Sequence, residues 1–209
     1  MFFLVINPPL PFYKKINLFV TTMILPVFAF GQPVLNKKAE PITKDYPELK
    51  EIIENMWETM YEASGIGLAA PQIGKPIRLF IVDTKQMKDN KKEENQTGMK
   101  AVFINPVIIE EFGNTWSYEE GCLSIPDVRG EVERKSGVKI SYLDENFEPK
   151  VGVFEGMEAR VIQHEYDHIE GKLFVEYLSP ARKIILRGKL ENIKKGKVSC
   201  DYKMRFVVK

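Results

Sequence analysis

Histidine and cysteine are scarce in this chain of 209 residues, which has two of each. Two cysteines, Cys122 and Cys200, cannot build the dense disulfide framework of a small secreted fold; they permit one bridge or two free thiols. Charge of one sign is also lacking. With 30 Lys and Arg against 29 Asp and Glu, the net charge is +1, so nothing global draws the chain to nucleic acid or membrane, although charge can still be segregated locally. No internal repeat and no long low-complexity tract occurs. The one long apolar run, INLFVTTMILPVFAF, is interrupted by Thr21, Thr22 and Pro26 and falls short of the roughly 20 apolar residues that a membrane span needs.

That run follows Lys14 and Lys15 and precedes the small Gly31, a layout that imitates a secretory signal peptide. The first 22 residues contain no Arg and no Ser, which argues against an organelle transit peptide. Met23 lies inside the run. A start there would make 1–22 an N-terminal extension and 23–209 one domain.

Apolar spacing at Leu49, Ile52, Ile53, Met56, Trp57 and Met60 predicts an amphipathic helix within 46–64, with Pro47 in its opening turn. SGIGLAAPQIG reads as loop, and Ile77 to Thr84 as a strand. The tract KQMKDNKKEENQTG is a charged surface excursion. Strands are expected at KAVFINPVIIEEF, WSYEEGCLSI, GEVER and SGVKISYLD, a helix over 155–170 stopped by Gly171, a second helix over 179–195, and a closing strand in VSCDYKMRFVV. These elements predict an α+β fold of mixed or antiparallel strands packed around a central helix that carries the motif HExxH.

Both histidines fall in QHEYDHIEG. On a helix, His164 and His168 stand one above the other, four apart, and can offer two imidazoles to one metal ion with Glu165 beside it. A third histidine at the zinc-protease spacing would fall where Phe174 stands. Glu176 is too close along the chain, and Glu191 belongs to a different, basic helix. Cys122, in EGCLSIP at a strand end, is the remaining good candidate, although taken alone it reads first as a small buried apolar residue, as most free cysteines are. A HExxH metallopeptidase and a disulfide-closed binding protein stay open as rival readings.

Three stretches, GIGLAAPQ (65–72), EGCLS (120–124) and QHEYDH (163–168), resemble in order and separation the three motifs of peptide deformylases. The resemblance implies a hydrolase that removes the N-formyl group from the initiator methionine of nascent chains and releases formate. Because ILPVFAFGQPVL resembles the family's N-terminal segment and such chains arise at bacterial-type ribosomes, it also implies that Met23 is the functional start, that 23–209 is the catalytic domain and that the protein is cytoplasmic. It further implies one divalent ion held by Cys122, His164 and His168, Fe²⁺ in the cell, although the same donors accept Zn²⁺, Ni²⁺ or Co²⁺. Three protein ligands with a fourth position left for water make a catalytic rather than a structural site. Glu165 is implied as the proton carrier, and the Gln72 side-chain amide and Leu123 backbone N–H as donors to the developing oxyanion.

For the substrate, Ile66, Gly67 and Gly121 are expected to flank an extended peptide. Met157 and Val161 share the helical face of His164 and, with Ile66, would line a pocket for methionine. An ion pair between Arg129 or Arg134 and Asp167 is expected to brace the site. From Arg182 onward ten basic residues face two acidic ones. With Ile184, Ile185, Leu190 and Ile193 as its docking side, that segment predicts a basic outward face suited to ribosomal RNA.

Overall fold

The computed structural model describes residues 22–87 and 98–207. The expected extension therefore lies, up to residue 21, outside the described residues, as does most of the charged excursion.

Helix α1 (Leu49–Glu62) buries Ile52, Ile53, Met56 and Met60. Their i, i+3/i+4/i+7 spacing puts them on one stripe, which packs on Leu68, Leu79, Ile81, Val102 and Ile104 of the sheet. The sheet has five antiparallel strands in the order β2 (Gly67–Ala69), β3 (Leu79–Asp83), β4 (Lys100–Cys122), β5 (Ile125–Leu143) and β6 (Pro149–Glu155). Helix α2 (Gly156–Ile169) follows β6 and lays Ala159, Val161, Ile162 and Ile169 against Phe80, Val82, Phe103, Val138 and Ile140. This is an α+β fold with an antiparallel sheet.

Gly171 ends α2 as expected. Its φ of +74° is open to glycine, and the Lys172 N–H reaches back to the Asp167 carbonyl at 2.8 Å. A Cβ at Gly171 would also strike the backbone of Asn36 and Lys37.

Four expectations are revised. The four strands expected between 100 and 144 are two long ones, β4 and β5, whose pairing shifts at Ile104/Val107, Ile108/Glu110, Phe112/Thr115 and Gly121/Cys122. Bulges absorb the turn-like residues without breaking the ladder. SGIGLAAPQIG is not all loop: Gly67–Ala69 is a strand paired with β3, and Ala70–Ile73 is a 3-10 turn. VSCDYKMRFVV contributes only β7 (Met204–Arg205), which lies parallel to β1 (Val27–Phe28). Helix α3 (Pro180–Lys194) docks through Leu186 and Ile193, while Ile184 and Ile185 are 74% and 68% exposed and belong to the outward face. Strand β6, unforeseen, has the alternating VGVF that predicts a strand.

Among the described residues, no helix is long and apolar enough to cross a membrane.

Candidate metal centre and catalytic cavity

Strands β4 and β5 meet in a two-residue tip, Leu123 and Ser124, with Cys122 opposite Ile125. The tip lies over α2. It brings Cys122 Sγ to 3.3 Å from His168 Nε2, and the ligating atoms of Cys122, His164 and His168 all fall within 4.8 Å of one another.

The donor set suits a transition-metal dication. His164 Nδ1 is hydrogen-bonded to Glu120 Oε2 at 2.9 Å, which leaves Nε2 as the nitrogen for coordination. Against burial, hydrogen bonds to Cys122 and Glu120 raise His164 well above the ordinary imidazole range, so without an ion Nε2 carries a proton that a bound ion would displace. Burial, reinforced by the charge of His164 and Arg134, pushes His168 well below the ordinary imidazole range, so its ring is neutral and able to coordinate. Its Nδ1 is buried without a partner among the described residues.

Glu165, one residue after His164, lines the same cavity as that histidine. It is 4% exposed, and its Oε2 is buried with no hydrogen-bond partner among the described residues. Desolvation raises its pKa to about 7, against the lowering effect of the His164 charge. A Cβ on Gly67 would collide with the Glu165 carboxylate. Glycine there is thus a matter of space, since the strand passes directly over the carboxyl group.

Gln72 is placed by its own backbone turn. Its Oε1 accepts the Ala69 N–H at 2.8 Å, which directs Nε2 to Cys122 Sγ at 3.4 Å and to Ser124 Oγ at 3.3 Å. A cavity of about 700 Å³ opens over these groups. Ile66, Gly67 and Gln72 line it from one side, Gly121, Cys122 and Leu123 from another, and Met157, Val161, His164 and Glu165 from the floor. All the residues singled out for chemistry or substrate except His168 reach this one cavity, and His168 lies beneath it against Cys122.

The expected Arg–Asp pair exists, with Arg134 as its arginine. Arg134 Nη1 donates to Asp167 Oδ2 at 2.7 Å, and Tyr177 Oη donates to Asp167 Oδ1 at 2.9 Å. Arg129 instead lines the cavity beside Gly121.

Glu120 opens the stretch EGCLS, but no role was expected of it. Buried at 6% exposure, it accepts from Arg134 Nε at 2.7 Å and Nη2 at 3.0 Å, from Arg160 Nη1 at 2.9 Å, and from the His164 ring. Burial alone would raise its pKa, but the bonds from His164 and Arg134 outweigh it and hold the carboxyl far below the usual range. Two signals pointed to this network. Glu120 stands two residues before Cys122 on one strand, and Arg160 four before His164 on one helix, so each shares a face with a candidate ligand.

Cys122 and Cys200 are both free thiols, which disposes of the disulfide-closed binding protein.

Residues 24–183 match the family model described as polypeptide deformylase. The chain is 53% identical over 192 residues to the peptide deformylase of Flavobacterium psychrophilum, covering 90% of this chain and 99% of that protein. It is 52% identical over 189 residues to that of Christiangramia forsetii, covering 88% and 96%. Among solved structures, a peptide deformylase from Legionella pneumophila superposes with a TM-score of 0.73 at 36% identity, covering 84% of this chain and 98% of that one.

Proposed function

The chain belongs to the polypeptide deformylase family, and from that membership we propose the roles of its residues in hydrolysing the N-formyl group of nascent methionyl chains to formate and a free amine. The observation that carries the assignment is the group of three ligating atoms within 4.8 Å beside a buried, unpartnered carboxyl.

Cys122, His164 and His168 hold the ion, and Fe²⁺ is our choice for the cell. When bound, the ion supplies Lewis acidity, which brings the pKa of a coordinated water toward neutrality. Burial raises the Glu165 carboxyl to about 7, so near neutral pH it can both accept a proton and return it. Glu165 takes a proton from the attacking water and delivers it to the methionine nitrogen as the C–N bond breaks. The formyl oxygen, as it gains charge, accepts from Gln72 Nε2 and the Leu123 N–H. The bond from Ala69 to Gln72 Oε1 fixes which end of the amide faces the reaction.

The formyl-methionyl peptide lies extended between the strand at Ile66 and Gly67 and the strand at Gly121. Its first side chain enters the floor at Met157 and Val161. Such chains emerge from ribosomes, so the place of work is the cytoplasm.

Cys122→Ala, His164→Ala and His168→Ala should each abolish stoichiometric metal and formate release from a formyl-Met tripeptide. Elemental analysis after anaerobic purification reads the first and identifies the ion. Retention of one ion per chain by any of the three would remove that residue from the ligand set.

The basic C-terminal segment offers contact with ribosomal RNA. Exposed Ile184 and Ile185 now join its outward face, whereas Lys194 is half-buried and paired with Glu191 at 2.9 Å. Arg187, Lys189 and Lys195 are exposed. Reversing these three to Glu should lower co-sedimentation with ribosomes at low salt several-fold, on the order of the tenfold per few phosphate contacts expected of counterion release, and leave turnover of a free peptide unchanged. Unaltered co-sedimentation would return α3 to a solvated face.

A further inference from the structure

The segment after α3 has no part in the chemistry above, yet Ser199, Cys200, Asp201 and Tyr202 form one wall of the catalytic cavity. It is anchored beyond that wall. The Val27 N–H donates to the Lys203 carbonyl at 2.9 Å, the Ala29 N–H to the Arg205 carbonyl at 3.0 Å, and Gln32 Nε2 to the Phe206 carbonyl at 2.7 Å. Val198, Met204 and Phe206 pack on the core formed by Leu35, Leu186 and Ile193. In front of the anchor Tyr202 turns inward, and its Oη donates to the Leu123 carbonyl at 2.8 Å. Burial raises the phenol above its ordinary pKa, so the hydroxyl keeps its proton and remains a donor.

Leu123 and Ser124 are the tip between β4 and β5, where a hairpin is least restrained by its own ladder. Here both tip carbonyls have donors from outside the sheet. Ser124 accepts from the Phe30 N–H at 2.8 Å, and Leu123 from Tyr202. Phe30 and Tyr202 belong to the two segments that β1 and β7 join, so one substructure grips the tip at two adjacent peptides. The Leu123 side chain adds a third restraint by packing toward Gly65 and Met60.

We propose that Tyr202 is a positioning residue for deformylation. By holding the Leu123 carbonyl, in the peptide unit that follows the one carrying the Leu123 N–H, it limits rotation about Leu123 and so steadies the aim of that N–H at the formyl oxygen. The inference rests on the role given to Leu123 above. An oxyanion donor works only within a few tenths of an ångström of its target, so a prop on its own residue acts on the transition state and not on substrate affinity.

Tyr202→Phe removes one oxygen and keeps the aromatic wall. It should lower kcat about five- to tenfold with KM within about twofold of wild type, the size expected for one hydrogen bond acting only in the transition state. Metal content and Tm should be unchanged, and amide hydrogen exchange at the 122–125 tip should quicken. A wild-type kcat, a loss carried by KM alone, or unchanged exchange at the tip overturns the proposal. A wild-type protein that releases no formate refutes the deformylase reading instead; exchange at the tip needs no turnover and still decides whether Tyr202 holds it.

Discussion

Glu165→Ala is expected to lower kcat for a formyl-Met peptide by about 10²- to 10⁴-fold, the range for loss of a positioned general base, while the ratio of metal to protein stays at the wild-type value. The separation of effects follows from geometry. The carboxyl lies beside the three ligating atoms and is not one of them, and its partnerless Oε2 points to no structural bond that the substitution would break. The ion-free protein gives a second readout through Glu165→Gln. A carboxyl raised from an ordinary 4.5 to about 7 binds its proton more tightly folded than unfolded, so its contribution to stability is present below pH 4.5 and is lost as pH rises through 7. The glutamine variant should therefore match wild type in acid and exceed it at pH 8, by a few kcal/mol at most, on the order of 1.4 kcal/mol for each pH unit that separates the folded from the unfolded pKa. Near-normal turnover in Glu165→Ala would end the assignment.

Glu120→Ala should be the most destabilising of the polar substitutions near the site, by about 3 to 5 kcal/mol in denaturant unfolding. Arg160, 2% exposed, would keep the carbonyls of Val132 and Trp116 and the faces of Trp116 and Tyr118 but no anion, and Arg134 only Asp167 and the face of Tyr177. The two guanidiniums would then repel each other in a site built around the lost carboxylate. His164 would also lose the bond that holds its Nδ1 proton and turns Nε2 toward the ion, which should weaken metal binding about 10- to 100-fold. Folding stability and a metal titration read the two effects apart. Loss of less than about 1 kcal/mol would show that water substitutes for the carboxylate and that the network is not a structural keystone.

The histidine half of the candidate ligand set was legible in the sequence because its parts are local, whereas Cys122, 46 residues before His168, came from the resemblance of three motifs and not from spacing. His164, Glu165 and His168 share one helical turn and a bit more, and spacing alone places them. Helices α1 and α2 were legible for the same reason, as their apolar stripes follow the period of 3.6. The Arg134 and Asp167 pair was half legible, since charge types can be matched on paper but the partner among two arginines cannot. Strands were less so. Where β4 and β5 continue through Gly113, Asn114 and Gly130, turn-forming residues read as breaks, because local propensity does not show that a neighbouring strand holds a bulge in register. Ile184 and Ile185 misled in the opposite direction: on a helix with two apolar flanks, only the position of the rest of the fold selects Leu186 and Ile193 as the buried one.

The sequence by itself determined two imidazoles four apart with a carboxyl between them, and the resemblance of three motifs added the Cys122 sulfur and the glycine-rich stretch at 65–72. The tertiary structure alone decided what surrounds that chemistry. Glu120 became the hub of two arginines and a histidine because β4 crosses α2, and burial then made ionic partners compulsory. Tyr202 reached Leu123, 79 residues earlier, because β7 docks on β1. Contacts within a turn of helix are set by bond geometry and can be read along the chain. Contacts across 44 or 79 residues depend on which surfaces the whole chain buries together, and no local pattern encodes that choice.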